Sequence, residues 1–110
     1  MKTLVTVRYQ VEGFHCWPDA PEHLAYLRAR HRHLFHVEAR VEVFADDREI
    51  EFHDFLHFCR EHFAGGELGS WSCERMASHL ADNITARFPG RAVTVSVFED
   101  GEVGATYCIC

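Results

Sequence analysis

The stretch His31-Arg32-His33-Leu34-Phe35-His36-Val37-Glu38-Ala39-Arg40-Val41-Glu42-Val43 decides the fold. From Phe35 onward, apolar residues hold the odd positions, and His36, Glu38, Arg40 and Glu42 hold the even ones. That is the period of a strand with one buried face. His31 and His33 share the odd parity, so both imidazoles point to the apolar side, about 6.5–7 Å apart along the backbone. Such spacing suits two ligands of one metal. An earlier run has the same form: Val5, Val7, Tyr9 and Val11 alternate with Thr6, Arg8, Gln10 and Glu12, and His15 closes it. If the runs pair antiparallel with His15 opposite His31 or His33, odd residues face odd residues and the three histidines converge at one sheet end. Three nitrogens on one side of a metal, with a fourth position open, is the arrangement of catalytic zinc.

Outward from this hairpin, strands are expected at about 2–14 and 32–44. The segment from His15 to Arg30, with Pro18 and Pro21, joins them, and Glu22 to Arg30 has the composition of a short helix. A connection longer than about 12–15 residues is usually functional. From Phe52 the period becomes helical, with Phe52, Phe55, Leu56, Cys59 and Phe63 on one stripe. Gly65, Gly66 and Gly69 then break the chain. Ser70 or Ser72 is placed to cap a second helix that carries Met76, Ala77, Leu80, Ile84 and Phe88 on one face, and Pro89-Gly90 ends it. Val93, Val95 and Val97 form a third strand, Asp100-Gly101 a turn, and Val103, Ala105, Tyr107 and Ile109 the return strand. The expectation is a single α+β domain over residues 1–110, ββααββ, with a four-stranded antiparallel sheet covered on one face by two helices.

The chain has 17 acidic and 11 basic residues with no basic stripe, which argues against binding nucleic acid through its phosphates. Neither a membrane span nor a signal-peptide pattern is visible, so a cytoplasmic location is expected. The five cysteines, odd in number and without a Cys-x-x-Cys pair, read as reduced thiols. Of the nine histidines, only His15, His31 and His33 share a spacing that gathers them.

The order ββααββ, a histidine closing the first strand, His31-Arg32-His33 opening the second, and Glu99 followed by Ala105-Thr106-Tyr107 resemble the 6-pyruvoyl- and 6-carboxy-tetrahydropterin synthases, which have the tunnelling fold. Val11-Glu12-Gly13-Phe14-His15, Glu51-Phe52-His53-Asp54-Phe55 and Ser72-Cys73-Glu74 are similar to further motifs of that family, in the same order along the chain. The resemblance implies zinc on His15, His31 and His33. It implies a pterin or purine-like ligand, its guanidine-like edge held by Glu99, with Cys73 and Glu74 at the same pocket. It also implies homo-oligomers, trimeric barrels stacked into hexamers. Glu99 draws independent support from its parity: it continues the odd face of Val93, Val95 and Val97, where a partly buried carboxylate needs a donor partner. The plainer alternative places it in a solvated turn.

Two departures from the family stand out. Its proton-abstracting cysteine, four residues before the first histidine of the His-x-His pair, is here Leu27, and the segment Phe63 to Gly69 lacks the family's Asp-His pair. Three readings follow. The first is a zinc-dependent, triphosphate-eliminating lyase with a replacement base, for which Cys73 at a helix N-terminus is the first candidate. The second is a non-catalytic binding or sequestering protein that keeps the metal and the pocket. The third is a structural oligomer tied together by metal. An open metal position facing Glu99 separates the first two from the third.

Overall fold

The computed structural model describes residues 1–110 and is α+β. In chain order it contains β1 (Thr3–His15), a 3-10 helix (Glu22–Leu27), β2 (His31–Val43), α1 (Phe52–His62), β3 (Gly66–Glu67), α2 (Cys73–Arg87), β4 (Val93–Glu99) and β5 (Val103–Ile109). The sheet order is β3-β1-β2-β4-β5. No helix is long and apolar enough to cross a membrane.

The long hairpin has the expected parity. Thr3 pairs with Val43 at one end and His15 with His31 at the other, so every odd residue of β1 faces an odd residue of β2. β4 continues the rule through Val37 with Val97 and Ala39 with Val95, and β5 through Val97 with Ala105. The odd face carries the core. Phe35, Ala39, Val41, Val95 and Val97 are fully buried there, clustered with Phe55 and Cys59 of α1 and Met76, Leu80 and Ile84 of α2. Both helices start on side-chain caps: Glu51 accepts from the amides of His53 and Asp54, and Ser72 Oγ accepts from the Arg75 amide at 3.1 Å. Tyr9 crosses from β1 to the end of α1, where its hydroxyl donates to the carbonyls of Phe63 (2.9 Å) and Cys59 (3.2 Å).

Three expectations need correction. The sheet is five-stranded and mixed, because Gly66–Glu67 runs parallel to Gly13–Phe14. Its glycines do more than break the chain. A Cβ on Gly65, whose φ is +75°, would lie 2.3 Å from the Glu12 carbonyl oxygen, so only glycine lets this segment reach the β1 edge. Two residues are too few to show an alternation, which is why the strand left no period to read. Secondly, the segment at Glu22 is a six-residue 3-10 helix with Leu24 outside helical geometry, and it stops before Arg30. Thirdly, Val103 and Tyr107 of β5 share the core parity yet remain 63% and 39% exposed. Parity assigns them a face, but β5 is the edge strand, and packing against α2 covers Ala105 and Ile109 while leaving these two positions open.

Candidate metal centre and its cleft

The hairpin register places His15, the last residue of β1, directly opposite His31, the first of β2, with His33 one pleat further along the same face. Their ring centroids lie 4.6, 5.3 and 4.9 Å apart, and one ring nitrogen of each falls within 4.8 Å of the others. Phe35 backs the group, its ring edge-on to His15 and His33.

The hydrogen bonds settle which nitrogen is available. His15 Nδ1 is 2.8 Å from the Trp71 carbonyl oxygen, and His31 Nδ1 is 2.9 Å from that of Ala29. A carbonyl can only accept, so both Nδ1 atoms carry the proton. His33 Nδ1 donates to Asp100 Oδ2 at 2.8 Å. In each neutral ring the lone pair is therefore on Nε2, and all three Nε2 atoms are buried without a hydrogen-bond partner. Buried polar atoms are normally satisfied, and three orphaned lone pairs converging on one point have one economical partner, a cation. The cluster can hold a metal ion, and the three Nδ1 acceptors are the outer contacts that orient ligating imidazoles.

Asp100 is the residue that the sequence reading missed. Its place in the sequence marks only a turn, which it suits: its φ is +54°, a region that aspartate tolerates better than most residues. Its other oxygen accepts from the Leu34 amide at 2.9 Å, and its own amide donates to the Leu34 carbonyl at 2.8 Å. These bonds hold its carboxyl below the ordinary range, the Leu34 amide contributing most and His33 next. The Trp71 and Ala29 contacts come from backbone carbonyls, for which no side-chain signal exists.

A cleft of about 510 Å³ opens beside the histidines. His15, His31, Leu27, Cys73, Glu74 and Glu99 all line it, together with Cys16 and the Trp17 and Trp71 side. Thus the long connection after β1, the start of α2 and the end of β4 converge on one cavity. Glu99 lies close to the histidine cluster, with Oε2 3.1 Å from His15 Nε2 and Oε1 3.6 Å from His33 Nε2. Its carboxylate is 23% exposed, so the solvated-turn alternative does not describe it.

Cys73 is in the cleft as expected, with Sγ 4.0 Å from Glu99 Oε2, but its chemistry is not the one expected. Burial first, then the negative charges of Glu99 and Glu74, push its thiol up to about 12. The amide dipoles at the start of α2 are outweighed, and near neutral pH the group is a thiol rather than the thiolate a base requires. No family model matches the chain, and no curated protein is significantly similar to it.

Proposed function

We propose that this chain is a zinc-dependent protein of the 6-pyruvoyl/6-carboxy-tetrahydropterin synthase type that binds a pterin or purine-like ligand, with altered or lost lyase chemistry. The gathering of three orphaned Nε2 atoms, two of them on residues that line a cleft holding Glu99 and Glu74, carries the reading. Zinc bound there would polarise oxygens of the ligand's side chain and acidify the adjacent C–H. The carboxylates of Glu74 and Glu99 supply acceptors for a planar ring edge with adjacent N–H donors. Against turnover stand two residues in the same cleft. Leu27 cannot ionise, and burial with the charges of Glu99 and Glu74 pushes the Cys73 thiol up. Binding without ordinary elimination is what this combination favours. An oligomer is part of the proposal: β5 has no outer neighbour, and β1 is covered only at Gly13 and Phe14, which leaves two rows of backbone groups suited to strand addition. Closure into a trimer, or two stacked trimers, would pair both edges.

The test is to incubate zinc-loaded protein with 7,8-dihydroneopterin triphosphate and follow bound ligand and triphosphate release by mass spectrometry. Retained ligand with little release is expected, and Leu27→Cys should raise release. Absence of binding by the zinc-loaded protein would overturn the ligand class. Turnover at the rate of ordinary synthases would overturn the loss of chemistry and direct attention to another base.

A further inference from the structure

The position of Glu99 relative to the histidines is not that of a residue waiting at the far side of a ring. The geometry points to Glu99 as the fourth ligand of the metal while the cleft is empty, so that the resting site is His15, His31, His33 and Glu99 rather than three histidines and an open position.

The argument begins with His15. Its proton is committed to the Trp71 carbonyl through Nδ1, so Nε2 presents a lone pair, and 3.1 Å away Glu99 Oε2 presents another. Two acceptors at that separation repel unless something positive lies between them. A protonated ring would be one solution, but the carboxylate oxygen is not placed as a hydrogen-bond acceptor of Nε2, which has no partner. His33 stands in the same relation: Nδ1 is bonded to Asp100, and Nε2 faces Glu99 Oε1 at 3.6 Å. Tetrahedral zinc with bonds of about 2.0–2.1 Å has ligand-to-ligand edges of about 3.3–3.4 Å. The two separations, 3.1 Å to Oε2 and 3.6 Å to Oε1, lie on either side of that edge, so each oxygen of the carboxylate is close to the distance a fourth ligand requires. Charge agrees as well, since three neutral imidazoles leave a divalent cation uncompensated in a mostly buried place and one carboxylate halves the excess.

The backbone explains how Glu99 comes to be there. It is the last residue of β4, paired with Phe35, and its odd parity turns it to the histidine face. Asp100 follows with positive φ and bonds back to both Leu34 and His33, tying the end of β4 to the start of β2. Neighbouring carboxylates thus act on one imidazole from opposite sides, Glu99 towards Nε2 and Asp100 on Nδ1. A ligand that enters the cleft must draw Glu99 off the metal, which makes this residue the group that a ring edge and the metal compete for. This inference rests on the metal reading proposed above.

Cobalt(II) in place of zinc tests it by absorption spectroscopy, with azide as the probe. For the wild-type protein the visible spectrum is expected to stay constant from about pH 6 to 9 and to ignore azide, because no metal-bound water is available to ionise or leave. Glu99→Ala should bind cobalt more weakly, by roughly 10-fold or more. Its spectrum should shift with pH and with azide. Glu99→Gln, which keeps the volume, repeats the comparison should the alanine variant fold poorly. A wild-type spectrum that responds to azide and pH as the variants do, with equal cobalt affinity, would overturn the fourth-ligand assignment and leave the three-histidine site standing. Failure of wild-type protein to take up cobalt or zinc at all would overturn the metal reading itself.

Discussion

The middle and the end of the sheet's odd face obey the same alternation and have opposite fates. In the middle, Phe35, Ala39, Val95 and Val97 are sealed under α1 and α2 with no exposed surface. At the His15–His31 end of the hairpin, His15, His31 and His33 hold the same parity, but His15 and His31 line a cleft. The difference lies in what is overhead. Near the histidines the cover is the N-terminal end of α2 and the loop before it, which contribute the Trp71 carbonyl, Cys73 and Glu74 rather than a row of apolar side chains. Strand parity therefore selects a face, and helix coverage divides that face into core and site. Phe35 is the joint between them, part of the core cluster and edge-on to two of the imidazoles.

The strongest way to break this division is through that joint. Phe35→Ala should cost about 3–5 kcal/mol in urea unfolding, the usual range for emptying a fully buried aromatic position. It should also weaken metal binding, since two ligand rings lose their backing. Full metal affinity in a destabilised variant would show that the site is held by its hydrogen bonds alone. A smaller effect separates the histidine end from the core. At zinc concentrations about 100 times the Kd, the wild-type protein should gain about 2.7 kcal/mol, read as a rise in Tm. His31→Ala should show no such gain, yet without metal it should unfold close to the wild type, because its Nε2 makes no bond and its Nδ1 bond to the Ala29 carbonyl is local and exposed. A large loss in metal-free His31→Ala would mean that the histidines are core after all.

The smallest effect belongs to the opposite end of the hairpin, where charges are paired rather than orphaned. Glu49 accepts from Arg91 at 3.1 Å and from the Phe44 amide at 2.7 Å. Arg91 contributes most and the amide next in lowering its carboxyl from the ordinary 4.5 to about 2. A carboxyl lowered on folding stabilises fully above its unfolded value, and that contribution disappears as the proton returns. Stability from this contact should thus be intact above about pH 4.5 and lost as pH falls towards about 2. Acid titration of Glu49→Gln, followed by circular dichroism, should show a shallower loss across that window. An unchanged acid limb would remove the contact from the list of stabilising ones.

How much of this was legible beforehand varies with the physical signal. The β1–β2 register was readable because one-residue slippage would turn every odd side chain of the hairpin to the wrong face. The helix of Met76, Leu80 and Ile84 was readable because its stripe repeats over fifteen residues and starts at Ser72. The common cavity of Leu27 and Cys73 is not legible in the sequence, since nothing in a linear pattern brings a 3-10 segment against the start of a distant helix. For Cys73 the helix terminus is visible in the sequence, while its burial beside two carboxylates is not. Asp100 resembled any turn aspartate until its hydrogen bonds to His33 and Leu34 were known.

By itself the sequence determined which residues share a face, because side-chain direction along a strand or helix depends only on local backbone period. It thereby specified the apolar face, the gathering of His15, His31 and His33 at one end of it, and the inward turn of Glu99. Only the tertiary structure decided which ring nitrogen is left free, that Glu99 stands within 3.1 Å of one of them, that Cys73 is buried beside Glu99 and Glu74, and that Gly66–Glu67 seals part of an edge. Those outcomes depend on distances and burial between segments far apart in the chain. Hydrogen bonding, desolvation and charge act at that range, and no local period encodes it.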